Sequence, residues 1–133
     1  MIVLDGKKTA QDIQLEIAAK VERLKADGKK TPHLAAIIVG GDGASLTYVN
    51  AKVKACERVG FESTLVHMDA ATSEDALLNK IDELNNDDAI DGFIVQLPLP
   101  KHIDETKVTL AVSPGKDVDG FHPENIGKMC LNL

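Results

Sequence analysis

Tyr48 and Lys52 are the residues whose types and spacing could do chemistry in this sequence. They lie four residues apart in "GASLTYVNAKVKAC", a stretch with helical periodicity, so one helical turn separates them. Lys52 has no acidic partner at i+3 or i+4, where Ala55 and Cys56 stand. Its ammonium therefore either extends to water along the apolar surface or lines a cleft. Tyr48 is either a packing residue with a solvated hydroxyl or an aromatic platform for a ligand.

Gln96 and Asp119 are two further candidates, in separate segments. The run "GFIVQLPLPKHID" predicts a buried strand that ends at Gln96, because Pro98 and Pro100 stop it. Ligands of open parallel sheets bind beyond the carboxyl ends of the strands, so Gln96 and the turn before Tyr48 are expected to converge. The turn-rich run "SPGKDVDGFHPENIG" begins like a calcium loop but lacks the remaining ligands. Its Asp119 is either part of an Asp-Gly turn or a ligand-binding carboxylate.

The glycine-rich turn "GGDG" follows a predicted strand and opens a helix, as a dinucleotide-binding loop does. Leu46 occupies the place of the third glycine in that fingerprint, and no Lys-Ser/Thr pair follows as a P-loop requires. The turn is therefore expected to be structural, with Asp42 or Ser45 as the helix cap. We predict no cofactor-binding residue in this chain.

Strands and helices alternate along the chain, which predicts an α/β fold. Strands are expected at residues 34–40, 62–68 and 90–97. Helices are expected at about 44–59, at 73–85 with Ser73 or Thr72 as cap, and at 104–112, after a first helix that ends near Gly28. Such alternation predicts a three-layer α/β/α domain with a mostly parallel sheet.

The helix at about 44–59 has a predicted apolar stripe that should face the core. Lys52 and Tyr48 fall beyond one edge of this stripe, and a charged arc on the other side of the helix is expected to be solvated. The stripe consists of Leu46, Val49, Val53 and Cys56, and the solvated arc of Asn50, Lys54, Glu57 and Arg58.

Composition and charge exclude several classes of function. The 133 residues suffice for one domain, and a formal charge of -6 without a basic cluster argues against nucleic-acid or membrane-surface partners. No apolar run could span a bilayer, the start "MIVLDGKK" matches no export signal, and Cys56 and Cys130 are expected to be reduced cytoplasmic thiols. No metal site is predicted, because the histidines lack metal-ligand spacing. They are His33, His67, His102 and His122.

Three separated motifs together resemble one enzyme family. In order along the chain they are "VGGDGASLTYVNAKVKACERVGF", "DGFIVQLPLPKHID" and "PGKDVDGFHPENIG". The chain is similar to the bifunctional methylenetetrahydrofolate dehydrogenase/methenyltetrahydrofolate cyclohydrolase family over nearly its whole length. The resemblance implies that Lys52 is the catalytic lysine and that Gln96 orients it. It also implies that Tyr48 stacks on the aminobenzoyl ring of the folate and that Asp119 holds the pterin.

The resemblance also sets expectations for the whole protein. It implies oxidation of 5,10-methylenetetrahydrofolate with NAD(P)+ and hydrolysis of the methenyl product to 10-formyltetrahydrofolate, in cytoplasmic one-carbon metabolism and purine biosynthesis. Residues 1–133 are expected to be the amino-terminal folate-binding domain, truncated before the NAD(P)-binding domain. NADP or NAD would serve the full-length homodimer, whereas this piece should bind tetrahydrofolate derivatives weakly, bind no cofactor and be inactive as a dehydrogenase.

Two alternatives stay open at the level of sequence. One is a non-catalytic nucleotide-binding or receiver-like α/β module, which would lose phosphate affinity on changes at Gly41 and Gly43. The other is a structural or dimerising domain in which Lys52 and Tyr48 only cover the flank of a helix. Whether a cis peptide bond precedes Pro98 or Pro100 is also open.

Overall fold

The computed structural model describes residues 3–41 and 43–133. Asp42, one of the two predicted helix caps, lies outside the described residues. The elements follow one another in the order helix, strand, helix, strand, helix, strand, helix, helix. Their bounds are α1 Gly6–Ala26, β1 His33–Val39, α2 Gly43–Val59, β2 Glu62–Met68, α3 Glu74–Asn86, β3 Gly92–Val95, α4 Glu105–Ala111 and α5 Pro123–Leu131.

The described strands form a parallel sheet in the order β2-β1-β3, so the strand that comes first in the chain lies in the middle. His33 pairs with Glu62 on one side, and Leu34 pairs with Gly92 on the other. Parallel neighbours need a helical crossover, which α2 and α3 provide. All three carboxyl ends therefore lie at the same edge of the sheet.

The central strand β1 is buried on both faces. Ala35, Ile37 and Val39 pack with residues of α3 and α4 in one core cluster. Ala36 and Ile38 point the other way, toward Val49 of α2 and Ile94 of β3. Because successive side chains of a strand alternate between faces, one apolar strand supplies both cores. The predicted three-layer α/β/α architecture is confirmed.

Local chemistry sets the ends of the helices. The Asp5 side chain accepts a hydrogen bond from the Lys8 N–H at the start of α1, and Ser73 accepts one from Ala76 N–H at the start of α3. Of the two predicted caps for α3, Ser73 is the one observed. Gly28 follows α1 with φ of +67°, a left-handed conformation that ends the helix without a Cβ penalty.

Three expectations about the elements need correction. The third strand is shorter than residues 90–97, because only residues 92–95 form strand and Gln96 adds one more bond, from its N–H to the Ile37 carbonyl at 2.8 Å. Ser45 is not a helix cap, since α2 already begins at Gly43. The segment read as turns contains α5, whose signal was a proline directly after the capping residue His122.

The Leu97–Pro98 peptide bond is cis, which answers the question that the sequence left open. Within the described residues, no helix has the length and apolarity needed to cross a membrane.

Candidate active site

Lys52 lies on the buried face of α2, which corrects the sequence expectation that it lies beyond the edge of the core stripe. Ser45, Val49, Cys56 and Val59 are buried, and Lys52 falls among them on a strip about 80° wide. Leu46 and Val53, which were expected in the stripe, are only half-buried. Compared with the prediction, α2 is thus rotated about its axis so that the side bearing Lys52 faces the core. The charged residues on its opposite arc are exposed as predicted.

The Lys52 ammonium meets a carboxylate from a distant segment. Its Nζ lies 4.0 Å from Oδ1 of Asp119, and the two side chains are 39% and 30% exposed. Helical side chains lean toward the helix amino terminus, so Lys52 extends toward the carboxyl edge of the sheet. A distance of 4.0 Å allows attraction but is too long for a direct hydrogen bond. Both groups therefore keep donors and acceptors available for a ligand.

Gln96 stands directly after β3 and holds an unused acceptor. Its Nε2 donates to the Leu97 carbonyl at 2.6 Å, while its buried Oε1 has no hydrogen-bond partner among the described residues. A buried acceptor left unpaired costs about 1–3 kcal/mol. The predicted contact between Gln96 and Lys52 is not among these bonds and stays a prediction.

Tyr48 lies one turn before Lys52 on α2 and is 66% exposed. A side chain this exposed contributes little to the core, so a purely packing role is disfavoured. The ring therefore presents most of its surface to solvent, one helical turn from Lys52.

The glycine turn between β1 and α2 does not fit a dinucleotide phosphate. Gly40 and Gly41 have φ of +67° and +113°, and an added Cβ would lie 2.9 Å from Ala70 Cβ or Ile38 Cδ1 respectively. Leu46 packs into the core cluster where the fingerprint needs its third glycine. Backbone conformation and packing therefore explain the glycines, and no chemical step of NAD(P) is assigned to this turn.

An apolar cleft of about 390 Å³ lies beneath the same lysine, between α1, α2 and the beginnings of β1 and β3. Cys56 lines it, and burial raises the pKa of this thiol, so it is protonated and a poor nucleophile. Asp119 does not line this cleft but a smaller recess of about 20 Å³, together with Val95, Leu97 and Phe121. The Lys52 amine thus stands at the boundary between the two spaces.

Sequence reasoning missed Asp117, the first carboxylate of the D-x-D-G motif. Its oxygens accept hydrogen bonds from the N–H groups of Gly120 and His122 and from the Asn125 side chain. The signal was the motif itself, which places two carboxylates two residues apart directly before a glycine. Among the described residues, no group of three or more potential ligands could hold a metal ion.

Taken together, the parallel α/β fold and the polar groups at one edge of its sheet are typical of α/β domains whose sites lie beyond the carboxyl ends of the strands. The chain belongs to the tetrahydrofolate dehydrogenase/cyclohydrolase family, because the model of that family's catalytic domain matches residues 4–119. The resemblance seen in the three motifs is thereby confirmed.

Relatives of known name and structure agree with this assignment. The chain is 69% identical to the bifunctional protein FolD of Flavobacterium psychrophilum over all 133 residues, which make up 45% of that protein. The crystal structure of the bifunctional FolD enzyme from Campylobacter jejuni matches 100% of this chain with a TM-score of 0.95 and 43% identity, over 47% of its own length. A Trypanosoma brucei FolD complexed with NADP and an inhibitor matches 96% of the chain with a TM-score of 0.91 and 36% identity, over 43% of its own length. The chain therefore spans about half the length of the relatives it matches.

Proposed function

We propose that this chain supplies the folate-binding side of a methylenetetrahydrofolate dehydrogenase/methenyltetrahydrofolate cyclohydrolase. The observation that carries the proposal is the 4.0 Å approach of Lys52 and Asp119 at the family's motif positions, with an exposed Tyr48 one turn away. The substrates are tetrahydrofolate derivatives in cytoplasmic one-carbon metabolism.

Asp119 is the group that recognises the pterin. The pterin ring presents adjacent N–H donors on a guanidine-like edge, and one carboxylate can accept two of them in a planar fork. Tyr48 stacks on the aminobenzoyl ring, which fixes the second half of the ligand. Aromatic pairs of this kind contribute about 0.5–1.5 kcal/mol beyond area burial. Recognition thus depends on two separated groups that hold the one-carbon unit between them.

Lys52 is the proton shuttle of the hydrolysis step. Water adds to the methenyl carbon of the cationic substrate, a C–O bond forms, and the water loses a proton. The hydroxyl of the adduct then loses its proton as the C=O bond forms and the C–N5 bond breaks, N5 gains a proton, and the formyl group stays on N10, with one proton released overall. The Lys52 amine accepts the protons that the oxygen loses and returns one of them to N5. The free Oε1 of Gln96 orients that amine by accepting its hydrogen bond.

The dehydrogenase half needs a hydride acceptor, which NADP or NAD supplies when bound. The glycine turn of this chain does not fit the cofactor, so we propose that a separate nucleotide-binding domain of a homodimeric protein binds it. Residues 1–133 are then the amino-terminal folate domain. On its own this chain should bind folate weakly and should not reduce the cofactor.

The test measures binding of a non-reactive tetrahydrofolate analogue to the 133-residue chain by titration calorimetry. We expect saturable binding that weakens at least about tenfold in Asp119→Ala, since a charged fork contributes more than 1.4 kcal/mol. Glu57→Gln, on the exposed arc of α2, is the matched control and should bind like the unaltered chain. The analogue should also protect Lys52 from amine acylation. Binding that is absent, or equal in all three proteins, contradicts the proposal.

A further inference from the structure

The position of Asp119 is fixed by hydrogen bonds of neighbouring residues in its loop. Its side chain is partly exposed, and its Oδ1 approaches the Lys52 Nζ to 4.0 Å. An exposed carboxylate in a loop samples several positions unless the backbone fixes it. The geometry of the Lys52 and Asp119 pair therefore depends on what fixes the loop between α4 and α5.

One end of this loop is clamped to the sheet and to α3. Phe93 of β3 donates its N–H to the Lys116 carbonyl at 2.9 Å and forms a parallel bridge with Asp117. The Lys116 ammonium donates to the carbonyls of Leu84 and Asp87 at the end of α3, at 2.8 and 2.7 Å. The backbone that leads into Asp119 is thus fixed to two elements.

The other end is closed by the Asp117 carboxylate. Oδ1 accepts the Gly120 N–H at 3.1 Å, and Oδ2 accepts the His122 N–H at 2.8 Å and the Asn125 Nδ2 at 2.9 Å. Both backbone donors follow Asp119 in the chain, so this side chain bends the loop around Asp119. Asn125 also donates to the Pro114 carbonyl at 2.9 Å, which ties α5 to the beginning of the loop.

The charge on Asp117 suits this task. Burial by itself raises the pKa of its carboxyl, but the hydrogen bonds from Asn125 and from the backbone N–H groups outweigh burial and leave the pKa below its usual value. Hydrogen bonds to a charged acceptor are shorter and about twice as strong as neutral ones. The turn is therefore held by a carboxylate that stays ionised at neutral pH.

We propose that Asp117 is a positioning residue that places the carboxylate of Asp119 against Lys52 and thereby sets folate affinity. The inference rests on the proposed function, in which Asp119 binds the pterin. Asp117 itself touches no substrate in this proposal. It acts through Asp119. Removing the charge of Asp117 should therefore change folate affinity little once Asp119 has been replaced.

The test is a double-mutant cycle with Asp117→Asn and Asp119→Ala in the 133-residue chain, read out as affinity for the tetrahydrofolate analogue. Asp117→Asn keeps the shape of the side chain but turns one acceptor into a donor, which faces a donating N–H. We expect it to weaken binding about tenfold in the unaltered chain and less than about twofold in the Asp119→Ala background. Equal losses in both backgrounds, or no loss in either, overturn the inference.

Asn85→Ala is the matched control for a loss of stability alone. The Asn85 side chain joins Ala111 and Ser113 by hydrogen bonds at 2.8 and 2.9 Å, at the start of the same loop and before Asp117 in the chain. Asn85→Ala should lower the unfolding temperature, as we also expect for Asp117→Asn. Its folate affinity, measured at a temperature where all variants are folded, should stay within about twofold of that of the unaltered chain. A control that weakens folate binding as much as Asp117→Asn overturns the inference.

A second measurement needs no folate and separates this inference from the proposed function. The Asp119 carboxylate lies 4.0 Å from the Lys52 amine, so moving or removing it opens the approach to that amine, and Lys52 should be acylated faster in Asp117→Asn and in Asp119→Ala alike. If these rates rise while the unaltered chain binds no folate, the proposed function fails and the positioning role stands. If the rate rises only in Asp119→Ala, the positioning role fails whatever the folate binding.

Discussion

Oδ1 of Asp119 lies 4.0 Å from Nζ of Lys52, although one residue belongs to the loop before α5 and the other to the middle of α2. The pair is partly exposed, and such ion pairs stabilise a fold by at most about 1 kcal/mol. Stability therefore does not explain why a lysine occupies the buried face of α2. The proposed folate ligand, which would use both groups, accounts for it.

Lys52→Arg should abolish hydrolysis of methenyltetrahydrofolate. The guanidinium keeps the positive charge but does not give up a proton near neutral pH, and proton shuttles contribute about 10²–10⁴-fold in rate. Turnover can be followed as the disappearance of the methenyl chromophore, in the protein that contains this domain. Lys54→Arg, on the exposed arc of the same helix, is the control and should keep the rate. Appreciable activity in Lys52→Arg would refute the proton-shuttle role.

Tyr48→Phe and Tyr48→Ala should differ in folate affinity. The phenylalanine keeps the ring face, whereas the alanine loses about 0.5–1.5 kcal/mol of stacking, or roughly twofold to tenfold in affinity. Because Tyr48 is exposed, both variants should unfold at nearly the same temperature as the unaltered chain. Titration with the folate analogue and a thermal melt provide the two measurements. A large affinity loss in Tyr48→Phe would instead assign the recognition to the hydroxyl.

Gly92→Ala should disturb the site through Val118. An added Cβ would lie 2.5 Å from Val118 Cγ2 and 3.3 Å from the Lys116 carbonyl oxygen, so the segment that precedes Asp119 must move. Overpacking of this kind costs about 1–3 kcal/mol in the free energy of unfolding. Gly115→Ala, in the same loop, meets no atom within 4 Å and is the control. Urea unfolding and folate titration should show that Gly92→Ala loses both stability and folate affinity. If the folded variant binds folate as tightly as the unaltered chain, Gly92 does not influence the position of Asp119.

Acid should destabilise the domain partly through Asp117. Its folded-state pKa is depressed, so its contribution to stability is present above the unfolded value of about 3.9 and is lost as the pH falls through the folded value. Asp117→Asn should therefore make the free energy of unfolding fall less steeply below about pH 4. Asn85→Ala removes no carboxyl group and should lower the whole curve without changing its slope. Equal slopes in Asp117→Asn and the unaltered chain contradict this assignment. Urea unfolding at a series of pH values supplies the data.

The sequence by itself determined the alternation of elements and hence the fold class. Short apolar runs and apolar residues at helical spacing, separated by glycine and proline, placed the three strands and four of the helices that the structure describes. Local pattern marked Lys52, a charge beside an apolar stripe without an acidic partner, whereas the roles of Tyr48, Gln96 and Asp119 came from the resemblance of three motifs to a known family. Such signals depend only on residues that are close together in the chain, so they can be recognised without the structure.

Only the tertiary structure decided that Lys52 and Asp119 lie next to each other. Helical periodicity locates an apolar stripe but not the centre of that stripe. Packing of α2 against α1 and the sheet decides the rotation of the helix, and this rotation brings Lys52 onto the buried face. The role of Asp117 depends on donors that α5 and its turn supply, and α5 was itself hidden in a polar, proline-containing segment. Contacts between distant segments arise from the energy of the whole packed chain, and no local pattern encodes them.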